Sequence, residues 1–292
     1  MSGRLADLFE IGRHPLAFEA REDLPGGTGW RLYRLRFRSR AGEAVRGFLC
    51  RPAGDGPVPA VLAIHAHGNR HDIGADELMQ GRPALAGPPG PALAALGIAS
   101  LCLDLPCFGE RSGVSESAAA KAALWRGRSL AGQMLGECHA AVGWLAAQPW
   151  AKAERIGVFG ISMGATLGYW LAAVDDRVHA LAQECCLADL EALIDSSAHD
   201  LHGLYLTVPG LPAVAANGTI AGLVAPRAQF IGLGERDPLT PPEALAVALA
   251  QVRAAYAAAG GRLVIHREPL SGHVETPAMR AAMLAFLAQA LA

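Results

Sequence analysis

The sequence predicts an α/β fold: a mostly parallel central sheet that carries an N-terminal antiparallel hairpin, with helices on both faces. Two patterns predict it. Short apolar runs at 58–64, 98–103, 155–160, 178–183, 229–233 and 263–267 alternate with longer Ala- and Leu-rich segments, the rhythm of strands buried on both faces by crossover helices. Each run is too short to be a helix. Ahead of them, residues 30–51 set Leu32, Leu35 and Phe37 on an Arg-rich background, turn at Ala41-Gly42-Glu43 and resume with Val45 to Cys50. That is the pattern of a hairpin.

The helices have readable ends. Residues 129–147 stop before Pro149, residues 241–259 open on prolines and stop at Gly260-Gly261, and residues 277–291 close the chain. No internal repeat and no Ser- or charge-rich linker divides the sequence, so 1–292 reads as a single domain, with 187–225 an insertion between two strands and a candidate lid.

Composition excludes several classes. A hydrophobic share of 52% against 18% charged is far from a disordered chain and implies a large core. A formal charge of -2 offers no basic field for nucleic acid or an anionic membrane. The uncharged stretches 83–103 and 203–226 are long enough to cross a bilayer. Pro88, Pro89 and Pro91 break the first, and Pro209, Pro212 and Gly218 the second, so both read as buried protein. Arg4, Asp7 and Glu10 interrupt the N-terminal apolar residues, against a secretory signal. The six cysteines lack C-x-x-C spacing and read as reduced core thiols of a cytoplasmic protein.

The sharpest signal is Gly160-Ile161-Ser162-Met163-Gly164, directly after the run 156–159 and directly before the helical stretch 165–173. A serine exposed on a tight strand-to-helix turn needs small neighbours, because a Cβ at either glycine crowds the strained backbone. At a helix N-terminus, the backbone N–H of Met163 stabilises charge developing on a substrate oxygen. A serine hydroxyl is a weak nucleophile until a base takes its proton. Candidates for an orienting carboxylate and a base follow in order: Asp237 in Gly234-Glu235-Arg236-Asp237-Pro238, and His273 in Ser271-Gly272-His273. All three residues lie beyond the C-terminal ends of strands, where open α/β sheets build their sites. Glu235 and Glu184 compete for the acid role, and Asp237 is favoured because its loop follows the penultimate strand. His266, inside a strand, reads as a packing or surface residue.

On these residues, with Ile64-His65-Ala66-His67-Gly68-Asn69 and the loop from Asp104 to Ser112, the chain resembles the α/β-hydrolase superfamily from the hairpin to the last helix. Within it, the dienelactone hydrolase and acetyl xylan esterase-like branch is most similar. Dienelactone hydrolases carry cysteine at the elbow, and Ser162 favours ester cleavage over lactone opening. The resemblance implies hydrolysis of a small carboxylic ester through an acyl-enzyme, without metal or organic cofactor. It also implies a second oxyanion donor in the His-Gly segment, the N–H of Asn69. A peptidase or thioesterase with the same triad, and a catalytically silent binding protein of the same fold, are the alternatives.

His65, His67, His71 and Asp72 resemble a zinc ligand set, but Asn69 and Arg70 stand where further ligands are needed, so no metal site is expected. His65 and His67 are read as bracing the oxyanion loop, and the loop from Asp104 to Ser112 as structural. His67, His202 and Tyr205 are candidates for the substrate pocket. The apolar residues near the last two, Leu201 and Leu206, read equally as lid core or as a contact in a homo-oligomer.

Overall fold

A computed structural model describes residues 1–292. In chain order the elements are α1 (Ser2–Leu8), β1 (Leu16–Gly27), β2 (Trp30–Ser39), β3 (Ala44–Pro52), β4 (Val58–Ile64), α2 (Glu77–Gln80), α3 (Pro89–Ala95) and β5 (Ala99–Leu103). Then come α4 (Glu116–Trp125), α5 (Leu130–Ala146), β6 (Ala151–Ile161), α6 (Met163–Ala172), β7 (Val178–Glu184), α7 (Leu190–Asp195) and α8 (Asn217–Gly222). The last are β8 (Ala228–Gly234), α9 (Pro242–Ala259), β9 (Leu263–Glu268) and α10 (Pro277–Ala290).

All nine strands form one sheet in the order β1-β2-β3-β5-β4-β6-β7-β8-β9. The N-terminal strands are antiparallel, with Leu32 opposite Cys50 and Phe37 opposite Val45 in the expected hairpin. From β5 onward neighbours run parallel, as crossover helices require. The α/β architecture is the one the sequence predicts. Both faces of the central strands are covered: Leu62, Ile64, Ile156 and Val158 join one core cluster, while Val61, Ala63, Phe159 and Ile161 join the other. This alternation is why the runs read as uninterrupted apolar stretches.

Besides the short helices α1, α2, α3, α7 and α8, two longer elements were not foreseen. β1 carries Glu19, Arg21, Glu22 and Asp23 on an almost wholly exposed edge, tied across to β2 by Arg38 to Glu19 and Arg34 to Glu22. Its charge blunts further pairing. The second is α4, capped by the Ser115 hydroxyl accepting from the Ala118 N–H at 3.3 Å. Within 187–225, Leu187, Tyr205, Leu211 and Ile220 belong to the main core, so the segment is anchored over much of its length. All six cysteines are buried free thiols. No helix is long and apolar enough to cross a membrane.

Candidate active site

β6 passes into α6 through Ser162, whose φ of 58° is a conformation that side chains rarely adopt. The packing around it leaves no room for side chains on either flank. A Cβ on Gly160 would lie 2.3 Å from the Gly164 carbonyl carbon, and one on Gly164 would lie 1.9 Å from the backbone oxygen of Ile64. The G-x-S-x-G pattern therefore records the elbow resting on the end of β4. The Ser162 N–H donates to the Glu184 carbonyl at 2.9 Å, and the Ser162 carbonyl accepts from Ala165 and Thr166, which fixes the turn. Met163 is the first residue of α6. Its N–H has no partner within the protein, as expected at a helix start.

β8 and β9 lie side by side, and the loops beyond them are laced together. The Glu235 N–H donates to the Glu268 carbonyl at 3.0 Å and the Arg236 N–H to that of Ser271 at 2.9 Å. This lacing brings His273 Nδ1 to 2.7 Å from Asp237 Oδ2. The Asp237 carboxylate is fully buried, and its other oxygen accepts the Leu239 N–H at 2.9 Å. A buried carboxylate held at both oxygens fixes the tautomer and direction of the imidazole. The competing acids are elsewhere. Glu235 pairs with Arg267 at 2.6 Å. The Glu184 carboxyl is completely buried without a hydrogen-bond partner, and burial, with Glu275 nearby, pushes its pKa well above the carboxylate range. Burial thus favours its neutral form behind the elbow. His266 pairs with Glu268 at 2.8 Å.

Ser162 and His273 line one cavity of about 80 Å³ together with His67, Gly68, Asn69, Leu201, His202, Gly203, Tyr205 and Leu239. The structure thus brings together every residue the sequence suggested for nucleophile, base and pocket. A larger concavity of about 420 Å³ lies far off, against Trp144 and Trp150, and contains no comparable grouping. His202 bonds the Leu239 carbonyl through Nε2 at 3.0 Å, which ties the insertion to the acid loop. Burial lowers its pKa.

The oxyanion loop differs from expectation at Asn69. Its N–H is not free: it donates to Nδ1 of His67 at 3.1 Å. The unpaired backbone donors of this loop are the N–H groups of His67 and Gly68. Beneath the loop, the Ala66 N–H donates to Glu77 at 3.1 Å, and Glu77 pairs with Arg82, both buried. His65 braces it as well. Its Nε2 accepts the Leu105 N–H at 3.3 Å and its Nδ1 donates to the Ala66 carbonyl at 3.0 Å, while burial pushes its pKa down to about 4.

Sequence inspection missed Glu116. It stands 2.8 Å from His67 Nε2, and with His67 and His71 it offers three ligand atoms within 4.8 Å of one another. Of the four residues weighed as a zinc set, Asp72 instead pairs with Arg70 and both His65 ring nitrogens are engaged. The tautomer speaks to what the cluster holds. Because Nδ1 of His67 accepts from Asn69, Nε2 carries the proton, and a protonated nitrogen has no lone pair for a metal. Glu116 gave no local signal, since it reaches His67 across 49 residues.

An elbow serine, a carboxylate-bound histidine and a switch in strand order beside them define the α/β-hydrolase class. The chain belongs to the X-Pro dipeptidyl-peptidase (S15) family, whose profile matches residues 44–220. It is 34% identical over 238 residues to YtaP of Bacillus subtilis (strain 168), covering 80% of this chain and 79% of that one. Among solved structures, acetyl xylan esterase 1 of Thermoanaerobacterium sp. JW/SL YS485 aligns with a TM-score of 0.66 at 18% identity, over 100% of this chain and 92% of that one. The glucuronoyl esterase from Solibacter usitatus aligns at 0.67 with 13% identity, over 99% and 92%. At such identities these two speak for the fold.

Proposed function

We propose that the protein is a serine hydrolase that cleaves small acyl esters through an acyl-enzyme intermediate. The observation that carries this is the 2.7 Å bond between His273 and the buried Asp237, opening onto the cavity that also holds Ser162. Ser162 attacks the ester carbonyl while His273 takes its proton and passes it to the leaving alcohol. Asp237 holds the ring and stabilises its charged form. The oxyanion is received by the N–H of Met163 and by the turn at His67 and Gly68. Water then attacks the acyl-enzyme with His273 again as base, so the cycle asks for no metal or organic cofactor.

The size and lining of the cavity support a small acyl group. Its 80 Å³ is several-fold below the roughly 300 Å³ at which ordinary small-molecule pockets begin, which suits acetyl or propionyl better than a long acyl chain. A groove of about 310 Å³ within the insertion, walled by Leu190, Ile194, Leu204 and Val208, shares His202 and Gly203 with the cavity. We assign it to the alcohol side. The buried free thiols support a cytoplasmic location.

The family's description favours a second reading, removal of an X-Pro dipeptide. That activity needs room for two residues and an acidic partner for the free α-ammonium. No carboxylate lines the 80 Å³ cavity and nearby Glu116 has both oxygens engaged, which leaves Asp200 of the adjoining groove as the one acid that such a substrate could use. The test is a panel of p-nitrophenyl acetate, butyrate and octanoate beside an X-Pro p-nitroanilide and an acyl thioester, with fluorophosphonate labelling in parallel. The expected result is labelling of Ser162 and preference for acetate. Cleavage of the X-Pro amide above all others supports the second reading instead, and an unlabelled serine rules out both.

A further inference from the structure

Glu116 sits at the first position of α4, with only 11% of its side chain exposed. It joins two segments that are distant in sequence. One carboxylate oxygen accepts from His67 Nε2 at 2.8 Å, and the other accepts the backbone N–H of Tyr205, in the insertion, at 2.9 Å. Gly203 packs onto the pair so closely that a Cβ there would lie 2.7 Å from His67 Nε2 and 2.9 Å from Glu116 Oε1. His67 is thereby held at both ring nitrogens, since Nδ1 accepts from Asn69 at 3.1 Å, and its ring lies against Phe108 and Tyr205 at 5.3 and 5.8 Å between centroids. Burial pushes the Glu116 pKa up, but the bonds from His67 and Tyr205 outweigh it and hold the group below the ordinary carboxylate value.

We infer that Glu116 is a positioning residue for ester hydrolysis. Through His67 it holds the turn of residues 67–69 in the shape that presents its free N–H groups to the oxyanion, and through Tyr205 it seats the insertion over the same cavity. The inference rests on the serine-esterase reading. Its chemical content is a chain of donors and acceptors with one polarity: Asn69 N–H to Nδ1, Nε2–H to carboxylate, and Tyr205 N–H to carboxylate. A carboxylate accepts twice, whereas an amide of the same shape accepts at one end and donates at the other. In Glu116→Gln, if the oxygen keeps Tyr205, the NH₂ faces Nε2. The ring must then move its proton to Nδ1, where it meets the Asn69 N–H donor to donor. If the amide turns round, the same conflict falls on Tyr205.

The experiment compares Glu116→Gln, His67→Gln and the double variant on p-nitrophenyl acetate. A displaced oxyanion turn should lower kcat by about 10- to 100-fold while KM stays within about twofold, because the interaction grows in the transition state. A merely structural role would lower the melting temperature and the active fraction, and kcat per fluorophosphonate-titrated site would be unchanged. The double variant should be no worse than the poorer single variant, since the two residues act as a unit. Should Glu116→Gln fail to fold, His67→Gln must show the same split between kcat and KM. Unchanged kcat per titrated site, or losses that multiply in the double variant, would overturn the inference. So would a chelator-sensitive kcat restored by Zn²⁺ in the wild type alone, which would make the cluster a metal site. Ser162 that fails to label in the wild type sinks the esterase reading itself, a different outcome from a labelled and fully active Glu116→Gln.

Discussion

Replacing Asp237 by Asn tests the arrangement at its most exposed point. The Leu239 N–H, 2.9 Å from one oxygen of Asp237, needs an acceptor, so the Asn oxygen must turn toward it. The NH₂ group then faces His273 Nδ1, where the carboxylate oxygen stood at 2.7 Å. Facing a donor, Nδ1 must accept, and the imidazole proton moves to Nε2, which can no longer take the proton of Ser162. The loss is thus one of tautomer, with shape and hydrogen-bond count preserved. Such a loss in a Ser-His-Asp triad is worth about 10⁴-fold in kcat, or about 5.4 kcal/mol at 1.36 kcal/mol per decade. Hydrolysis of p-nitrophenyl acetate, normalised to folded protein by circular dichroism, measures it. A variant within tenfold of wild type would refute the reasoning and return the acid role to Glu184.

Further expectations bear on the elbow and on that rival acid. Ser162→Ala should lose kcat by several orders of magnitude and stay folded, read from initial rates beside a thermal melt; near-normal turnover removes the nucleophile assignment. Ser162→Gly should be equally inactive but melt higher than the Ala variant, because glycine relieves about 1 kcal/mol of strain at a φ of 58°; equal melting temperatures argue against stored strain. Gly164→Ala puts a methyl 1.9 Å from a backbone oxygen that cannot rotate away, so it should cost about 3 kcal/mol or more of stability together with activity, and an unchanged urea midpoint would contradict the packing. Glu184→Gln should keep most of its kcat. The Glu184 pKa is raised on folding from the ordinary 4.5, so the folded state holds a proton that the unfolded state has released, and stability from this group falls as pH rises above that value. The stability of wild type relative to Glu184→Gln, from urea titrations, should therefore decline with pH over that range, and a flat difference would show that Glu184 ionises freely.

The sequence made most of this legible where chemistry and periodicity were local. The apolar runs that became β4 through β9 are visible because strands covered on both faces read as uninterrupted apolar stretches, and these are too short to be helices. The elbow is visible because two glycines, a serine and a strand-to-helix boundary fall within five residues. β1 was hidden for the opposite reason. With both faces largely in water it carries Glu19, Arg21, Glu22 and Asp23 and has neither period, so only its partner β2 makes it a strand. Asn69 shows a subtler limit. Motif spacing marks the turn that supplies an oxyanion donor, but which N–H is free depends on where the His67 ring points, and that is a rotamer fixed by a carboxylate 49 residues away.

The same contrast separates the chemistry of the site from its support. Ser162, Asp237 and His273 each stand at the end of a strand, so their meeting follows from the order of the sheet alone. The insertion is different, because its bonds to the acid loop and to α4, His202 to Leu239 and Tyr205 to Glu116, run between segments whose approach no strand order dictates. Leu201, His202, Gly203 and Tyr205 of the insertion form part of the wall of the cavity of about 80 Å³. The small-acyl preference proposed above should therefore depend on how the insertion is fastened, since the triad itself sets no limit on acyl size. Relatives with the same elbow and a differently tied insertion should accept different esters.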